Sequence, residues 1–464
     1  MFRRYWWASD PRDGLGIALL TIGLSACAGA QNQRHDRLNS AWRASAKPQD
    51  GSGGAGSGKV RSLETAQVLD RVTFVHAVLK RNPSVEASRQ AWRAALAERA
   101  QASALDDPML EYSFAPLSIG SGNVPYGQVV TLSQQLPWPG KKALAGEVAL
   151  AEAETAAEDF AATRLRLALM ASLLFDQYYA VERSLELNQQ HNALVRDIKA
   201  AALAQYETGR ASQQEPLQAE VELAHVEHER IVMTSRRAII VAQMNGLLHR
   251  APQTRLPPPP TTLDLPLVFP GPSTALQKEA LSNRPELKSQ RARVRGRQAA
   301  RDLADRESYP DFGVMASYNS MWAMPEHQWM LGFSVNVPLQ LGRRRGAVEQ
   351  ADARIAQATA ELLGVSDEIR VDVEKARQRL IEAGHVVRLY RNRLLPAARA
   401  QIEAARSGYV TGQTTFQALI DSERSLRNVE LNYQQSLATL GARRAELVRA
   451  LGRIPRLASG GSAP

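Results

Sequence analysis

Alternation of apolar and polar residues predicts four β-strands, which come in two pairs. In residues 329–337 every odd position is large and apolar, whereas Gly332, Ser334 and Asn336 between them are small or polar. Residues 312–319 alternate in the same way, and weaker versions of the pattern lie around Leu110 and Val130. Each stretch is close to the roughly 9–11 residues that cross a bilayer as a tilted strand. The pattern predicts two hairpins, each with one apolar face and one polar face.

Two much longer stretches have the composition of helices. One runs from Gly140 to Gly209 without an internal proline, and the other runs from Gly342 to Gly412. At 1.5 Å per residue, each helix is on the order of 100 Å long. Apolar residues recur in them at coiled-coil-like spacing, so we expect these helices to pack along their length. A soluble helical rod has the same periodicity and stays open as an alternative.

Landmark residues recur in the two halves of the chain. Pro285 lies 202 residues after Pro83, and Tyr409 of a Tyr-x-Thr-Gly motif lies 203 residues after Tyr206. This nearly constant offset indicates an internal duplication in which each half is a helix, two strands, a very long helix and a further helix. The predicted parts are a first repeat (65–250), a proline-rich connector (251–272), a second repeat (273–455) and a short tail (456–464).

The N-terminus has the pattern of an export signal. Arg3 and Arg4 precede the apolar run 15–24, which is too short to span a bilayer. The run ends in Leu-Ser-Ala-Cys, which resembles a bacterial lipobox, so residues 1–27 are expected to be a signal with Cys27 as the acylated first residue of the mature chain. Ordinary cleavage after residue 30 is the alternative. The glycine- and serine-rich region 28–64 is expected to be a flexible tether.

Composition narrows the classes of protein. The chain has 464 residues, 44% of them hydrophobic and 22% charged, which excludes both a disordered tail and a multi-span helical membrane protein. A single cysteine excludes a disulfide framework. The net charge of +10 is scattered rather than gathered in a basic stripe interleaved with aromatics, so nucleic acid is set aside as a partner.

Four strands are too few to close a membrane barrel, since single-chain barrels begin at about eight. Three chains would supply twelve. The duplicated plan, the two Tyr-x-Thr-Gly motifs and the segment Pro-Trp-Pro-Gly-Lys-Lys at 137–142 together resemble the TolC family of outer-membrane efflux ducts, most nearly its heavy-metal and copper branch. The resemblance implies a mainly helical homotrimer with a 12-stranded barrel in outer-membrane lipid and a helical periplasmic tunnel. It also implies a periplasmic adaptor and an inner-membrane pump of the resistance-nodulation-division type as partners.

The same resemblance implies roles for a few residues. Gly209 and Gly412 fall at the family's periplasmic tip, where the chain turns between helices and meets the adaptor; a plain helix cap explains the glycines equally well. Six and nine positions after them, the family places gate acids, and this chain keeps Glu215 and Asp421 but has Gln218 and Ala418 at the other two positions. A solvated helix face is the alternative for both acids.

Other polar clusters are candidates for contact with lipid or for metal binding. The basic residues after the two hairpins are expected to reach lipid headgroups, with the channel lumen as the alternative; these are Lys141, Lys142, Arg343, Arg344 and Arg345. Met321, Met324 and His327 are weak candidates for Cu(I) or Ag(I). The chain has no motif of a hydrolase, nucleotide or dinucleotide site, so neither an enzyme nor a cofactor is expected. A periplasmic coiled-coil adaptor or structural protein is the alternative function.

Overall fold

The fold is known from a computed structural model that describes residues 32–45, 67–120, 122, 126–263, 265 and 270–455. The chain forms two compact units, each built from pieces of both halves of the sequence. Unit 1 takes Ser88–Asp159, Glu286–Gly364 and the described residues of Met1–Asp50. Unit 2 consists of the described residues of Phe160–Pro285, Val365–Pro464 and Gly51–Ala87.

The two halves of the chain repeat one plan, as the duplication predicted, but each begins with two helices instead of one, and the second half adds a short helix and divides its long helix. After a first helix α1 (residues 32–45), the first half consists of α2 (Arg71–Arg81), α3 (Pro83–Ser103), β1 (Met109–Phe114), β2 (Gln128–Leu136), α4 (Lys141–Glu207) and α5 (Gln214–Leu247). The second half consists of α6 (Ser273–Asn283), α7 (Pro285–Arg306), β3 (Phe312–Asn319), the short α8 (Pro325–Gln328), β4 (Trp329–Val335), α9 (Leu341–Leu389), α10 (Leu395–Val410) and α11 (Phe416–Ala450).

Unit 1 contains one antiparallel sheet in the order β1-β2-β3-β4. The register aligns Leu110, Leu132, Ala316 and Leu331 in one row across the four strands, so apolar positions share a face. The neighbouring row, Thr131, Ser317 and Met330, lies on the other face. The strands are 6, 9, 8 and 7 residues long, and β4 is two residues shorter than the alternating stretch 329–337 that predicted it. The Asn336 N–H still bonds to the Asp311 carbonyl, the residue opposite it in the register, but Pro338 at the next bonding position has no N–H to donate, so the ladder ends there.

Unit 2 is held together by aromatic and aliphatic side chains between its helices. One cluster gathers Phe74, Phe175, Tyr178 and Met244, all at most 1% exposed. Burial of such side chains stabilises the fold by about 1.5–3 kcal/mol each. A second cluster packs α4, α5, α10 and α11 around residues such as Ile402, Phe416 and Ile420.

The two long helical stretches differ in continuity. α4 runs for 67 residues without a break. Its counterpart contains a π-helical turn at Tyr390–Leu394, where the Leu395 N–H bonds to the Tyr390 carbonyl five residues back. Pro396 explains the turn, because it has no N–H to donate and its ring crowds the preceding turn. The uniform helix expected up to Gly412 is therefore interrupted.

Helix α1 departs from the flexible tether expected over residues 28–64. Arg34 forms an ion pair with Glu147 at 2.5 Å, and the ring of Trp42 lies 5.5 Å from the Arg89 guanidinium and 5.2 Å from that of Arg93. These contacts to α3 and α4 supply what an isolated 14-residue helix lacks in water. Among the helices of the described residues, none is long and apolar enough to cross a membrane.

Candidate functional site

The turns after α4 and α10 share one helix-ending geometry. Gly209 has φ +71° and Gly412 has φ +75°, and at both turns the glycine N–H bonds back three residues while the next N–H bonds back five. This is the Schellman pattern, which favours glycine because other residues are strained at positive φ. A Cβ on either glycine would meet open space. The backbone angle, rather than crowding, therefore accounts for both glycines.

Glu215 lies in the first turn of α5, and a tyrosine from the other half of the chain holds it. The hydroxyl of Tyr409, in the last turn of α10, donates to Glu215 Oε2 at 2.7 Å. Burial of Tyr409 and its bond to this carboxylate both raise the pKa of the tyrosine, so it stays a neutral donor. The contact joins the two repeats beside their turns.

Asp421, the second candidate gate acid, lies on α11 with its side chain 57% exposed. Gln417 donates to its Oδ1 at 2.9 Å, and the Arg424 guanidinium is 3.8 Å away. Asp421 is thus accessible to solvent but partly neutralised by an arginine one turn away.

Arg424 also belongs to a buried ionic cluster that sequence reasoning missed. Its Nη2 lies 2.6 Å from Glu222, a residue of α5 that is only 1% exposed. Glu222 lies in a charge-rich stretch of its helix, and charged residues in such stretches usually face water. Partners about 200 residues away in the sequence give no local signal of burial. The cluster continues to His191 of α4, which is 3% exposed.

The apolar face of the sheet in unit 1 is open to solvent in the single chain. Leu331 is 91% exposed and Phe333 is 68% exposed. Aromatic rings lie at both ends of this face: at the hairpin-turn end, the rings of Tyr318 and Trp329 are 5.2 Å apart, and at the helix end, Trp138 stacks at 5.2 Å on Tyr309. An apolar band between two aromatic rows is the arrangement of membrane-facing strands.

The two basic clusters after the hairpins differ in their partners. Lys141 is only 5% exposed, and its ammonium donates to both oxygens of Asp311 at 2.8 and 3.0 Å, so it lacks the free charge that the lipid prediction requires. Partial burial acts to raise the pKa of Asp311, but the hydrogen bonds from Lys141 and the Trp138 N–H hold it below its usual value. Lys142 pairs with Asp106 at 2.9 Å.

The three arginines of the second cluster differ from one another in their exposure and in their hydrogen-bond partners. Arg344 donates to the Glu307 carbonyl at 2.9 Å, whereas Arg343 and Arg345 are exposed. These two retain the accessible charge that contact with lipid headgroups needs.

The weak metal candidates lie around the turn of the second hairpin. Met321 and Met324 are exposed, and the ring of His327 meets Trp322 edge-on at 6.1 Å. Among the described residues no group of three or more His, Cys, Asp or Glu side chains could hold a metal ion. Cys27, the predicted acylation site, lies outside the residues that the structure describes.

Comparisons with known proteins identify the fold. Residues 276–453 match the family model described as outer membrane efflux protein. No curated protein sequence matches the chain significantly. The chain is similar to the outer membrane protein VceC of Vibrio cholerae, with 16% identity, a TM-score of 0.69, and coverage of 82% of this chain and 95% of that one.

Two further solved channels are similar over most of their length. The open state of the MtrE outer membrane channel of Neisseria gonorrhoeae has 16% identity and a TM-score of 0.67, covering 88% of this chain and 96% of that one. CusC has 18% identity and a TM-score of 0.72, covering 88% and 97%. These neighbours are channels rather than enzymes. The chain therefore has the fold of the outer-membrane efflux channels, and its second half matches the outer membrane efflux protein family.

Proposed function

We propose that this chain is the exit duct of a tripartite efflux system. Three copies form a 12-stranded barrel in the outer membrane and a helical tunnel in the periplasm, through which an inner-membrane pump of the resistance-nodulation-division type and its adaptor export cargo. The observation that carries the proposal is the four-stranded sheet. Its apolar face is exposed between two aromatic rows, and within the described residues its outer strands β1 and β4 pair on one side only. Such open edges and faces need partners, and copies of the same sheet supply them.

The first experiment tests the location and the assembly. We expect the full-length protein to fractionate with the outer membrane and to run as a trimer that heating dissociates, and to form discrete conductance steps in planar bilayers. A soluble periplasmic monomer would favour the alternative, a coiled-coil adaptor or structural rod. The exposed apolar sheet counts against that alternative, because a soluble rod has no lipid to cover it.

At the tip of the duct, we propose Glu215 and Asp421 as the acids that narrow the entrance, and the turns at Gly209 and Gly412 as adaptor contacts. Threefold symmetry would bring three copies of Asp421 around one axis, where exposed carboxylates bind cations. Alanine replacement of both acids is expected to weaken block of single channels by divalent cations. Unchanged block would remove both residues from the gate.

Two finer parts of the proposal need separate tests. Cys27 is proposed as the lipid anchor, and metabolic labelling with palmitate should mark the wild type but not Cys27→Ala. Metal ions are proposed as cargo ahead of organic compounds, on the resemblance to the heavy-metal branch. A strain lacking the protein should then be more sensitive to copper, zinc or cobalt than the parent strain, while sensitivity to dyes and antibiotics alone would reassign the cargo.

A further inference from the structure

We propose that His191 and the charged side chains around it form a proton-operated latch that holds α11, and with it Asp421, against α4. The proposal deepens the channel function above and rests on it for the role of Asp421. It places the control of the gate in a buried cluster of unit 2 rather than in the exposed acids themselves.

With both of its glutamate partners ionised, the hydrogen bonds of His191 are satisfied together only when its ring carries two protons. Nδ1 lies 3.0 Å from Glu423 Oε1, and Nε2 lies 3.1 Å from Glu430 Oε2. Both glutamates belong to α11, and ionised carboxylates only accept hydrogen bonds. A neutral imidazole has one N–H and one lone pair, so it satisfies one of these contacts and opposes the other. Only the imidazolium ion donates to both carboxylates.

The other charges around the ring leave a place for that positive charge. From α11, Arg427 Nη1 lies 2.8 Å from Glu222 Oε1 and 3.4 Å from Glu423 Oε2, and its Nε lies 3.8 Å from Glu229 of α5. From α10, Arg399 lies 2.9 Å from Glu430. Glu222 and Glu423 are at most 1% exposed. Because Arg399 is largely exposed, the buried carboxylates of the cluster outnumber its buried guanidiniums. Protonated His191 supplies a further buried positive charge.

The cluster connects directly to the candidate gate. Arg424, three residues before Arg427 on the same helix, bonds to Glu222 and lies 3.8 Å from Asp421. A change in how tightly α4 is bound to α11 is therefore transmitted to Asp421 through one turn of α11 and through the Glu222 carboxylate, which Arg424 and Arg427 share.

Proton loss is expected to release this hold as pH rises. Burial acts to lower the pKa of His191, but the bonds to Glu423 and Glu430 outweigh it and raise the pKa above the usual value of about 6.5. A raised folded-state pKa contributes stability that is complete below the unfolded-state value and is lost as pH rises through the folded value. At mildly acidic pH the His191 ring donates to both glutamates and the latch is engaged. At alkaline pH the neutral ring turns one nitrogen lone pair toward a carboxylate, and the latch is released.

The main test is the pH profile of the purified full-length trimer in planar bilayers. We expect open probability to rise severalfold between roughly pH 6 and pH 9 in the wild type, because His191 loses the proton that lets it donate to both glutamates as pH rises. His191→Gln should remove this rise. His228→Gln makes the same change at an exposed histidine of α5 and should keep it. A His191→Gln profile that rises like the wild type overturns the latch.

Thermal unfolding in detergent provides a second measurement that does not need conductance. The midpoint of the wild type should exceed that of His191→Gln at pH 6, and this difference should disappear as pH rises to about 9. A difference that is constant with pH overturns the latch. A wild type that never conducts refutes the channel function, and the unfolding series still decides on the latch.

A milder variant covers the case in which His191→Gln does not assemble. Glu430→Gln keeps the histidine and removes one of its two carboxylates, so the pH at which open probability rises should move down relative to the wild type. An unmoved transition in Glu430→Gln contradicts the assignment of His191 as the titrating group.

Discussion

Replacing Leu331 by arginine tests whether the open face of the sheet lies in lipid. Leu331 is 91% exposed in the single chain and sits in an inner row of β4, between the rows of Trp329 and Phe333. On a protein surface in water, such a change is worth less than about 0.5 kcal/mol. On the lipid face of a barrel near the bilayer centre, arginine costs about 2–4 kcal/mol, so three copies cost about 6–12 kcal/mol per trimer.

The adjacent residue supplies the matched control. Met330 points to the opposite, polar face beside Ser317, and it is 42% exposed. Leu331→Arg should sharply reduce the yield of heat-dissociable trimer from outer membranes and the refolding of purified chain into phospholipid vesicles, whereas Met330→Arg should leave both near the wild-type level. Equal yields for the two variants would refute the assignment of the faces.

Three further predictions concern single contacts. His249 ends α5 at φ 54°, where the second half of the chain has a glycine, so His249→Gly should stabilise the protein by about 1 kcal/mol and raise its thermal midpoint; a lower midpoint would contradict strain at this residue. Tyr409→Phe removes a hydrogen bond to a carboxylate worth about 1.5–3 kcal/mol, so single channels should open more often, and an unchanged open probability would exclude this contact from the gate. Lys141→Ala leaves Asp311 without its cation and should cost about 1–3 kcal/mol at neutral pH. Because the pKa of Asp311 is lowered in the folded chain, this deficit should shrink as the pH of unfolding measurements falls below about 4, and a deficit independent of pH would exclude the ion pair as its cause.

The sheet was predictable because its signal is local. The alternation in residues 312–319 predicts β3 with the bounds that it has, and the shared offset between the halves predicts its neighbours. The ends of the strands were less predictable: the alternation in residues 329–337 continues for two residues beyond the end of β4 at Val335. A period-2 pattern reports which face a side chain occupies, but it does not report that Pro338 has no N–H for the next bond of the ladder.

The parts that sequence reasoning missed depend on distant partners. Helix α1 is stabilised by Trp42 against Arg89 and Arg93, about fifty residues away, and Leu38 and Trp42 are the only large apolar residues in its own sequence. His191 meets glutamates more than 230 positions later. The π turn at Tyr390–Leu394 did have a local signal, because Pro396 has no counterpart in α4.

The short distance between Cys27 and helix α1 limits where an acylated N-terminus can lie. Five residue steps separate Cys27 from the start of the helix at residue 32, so a fully extended chain reaches at most about 18 Å. Arg34 fixes that end of the helix to Glu147, which is six residues into α4 and hence about 9 Å along it from Lys141. If Cys27 carries the proposed acyl chain, that chain would be held within reach of the end of the sheet beside Trp138 and Tyr309. Lipid anchor and aromatic row would mark one and the same membrane surface.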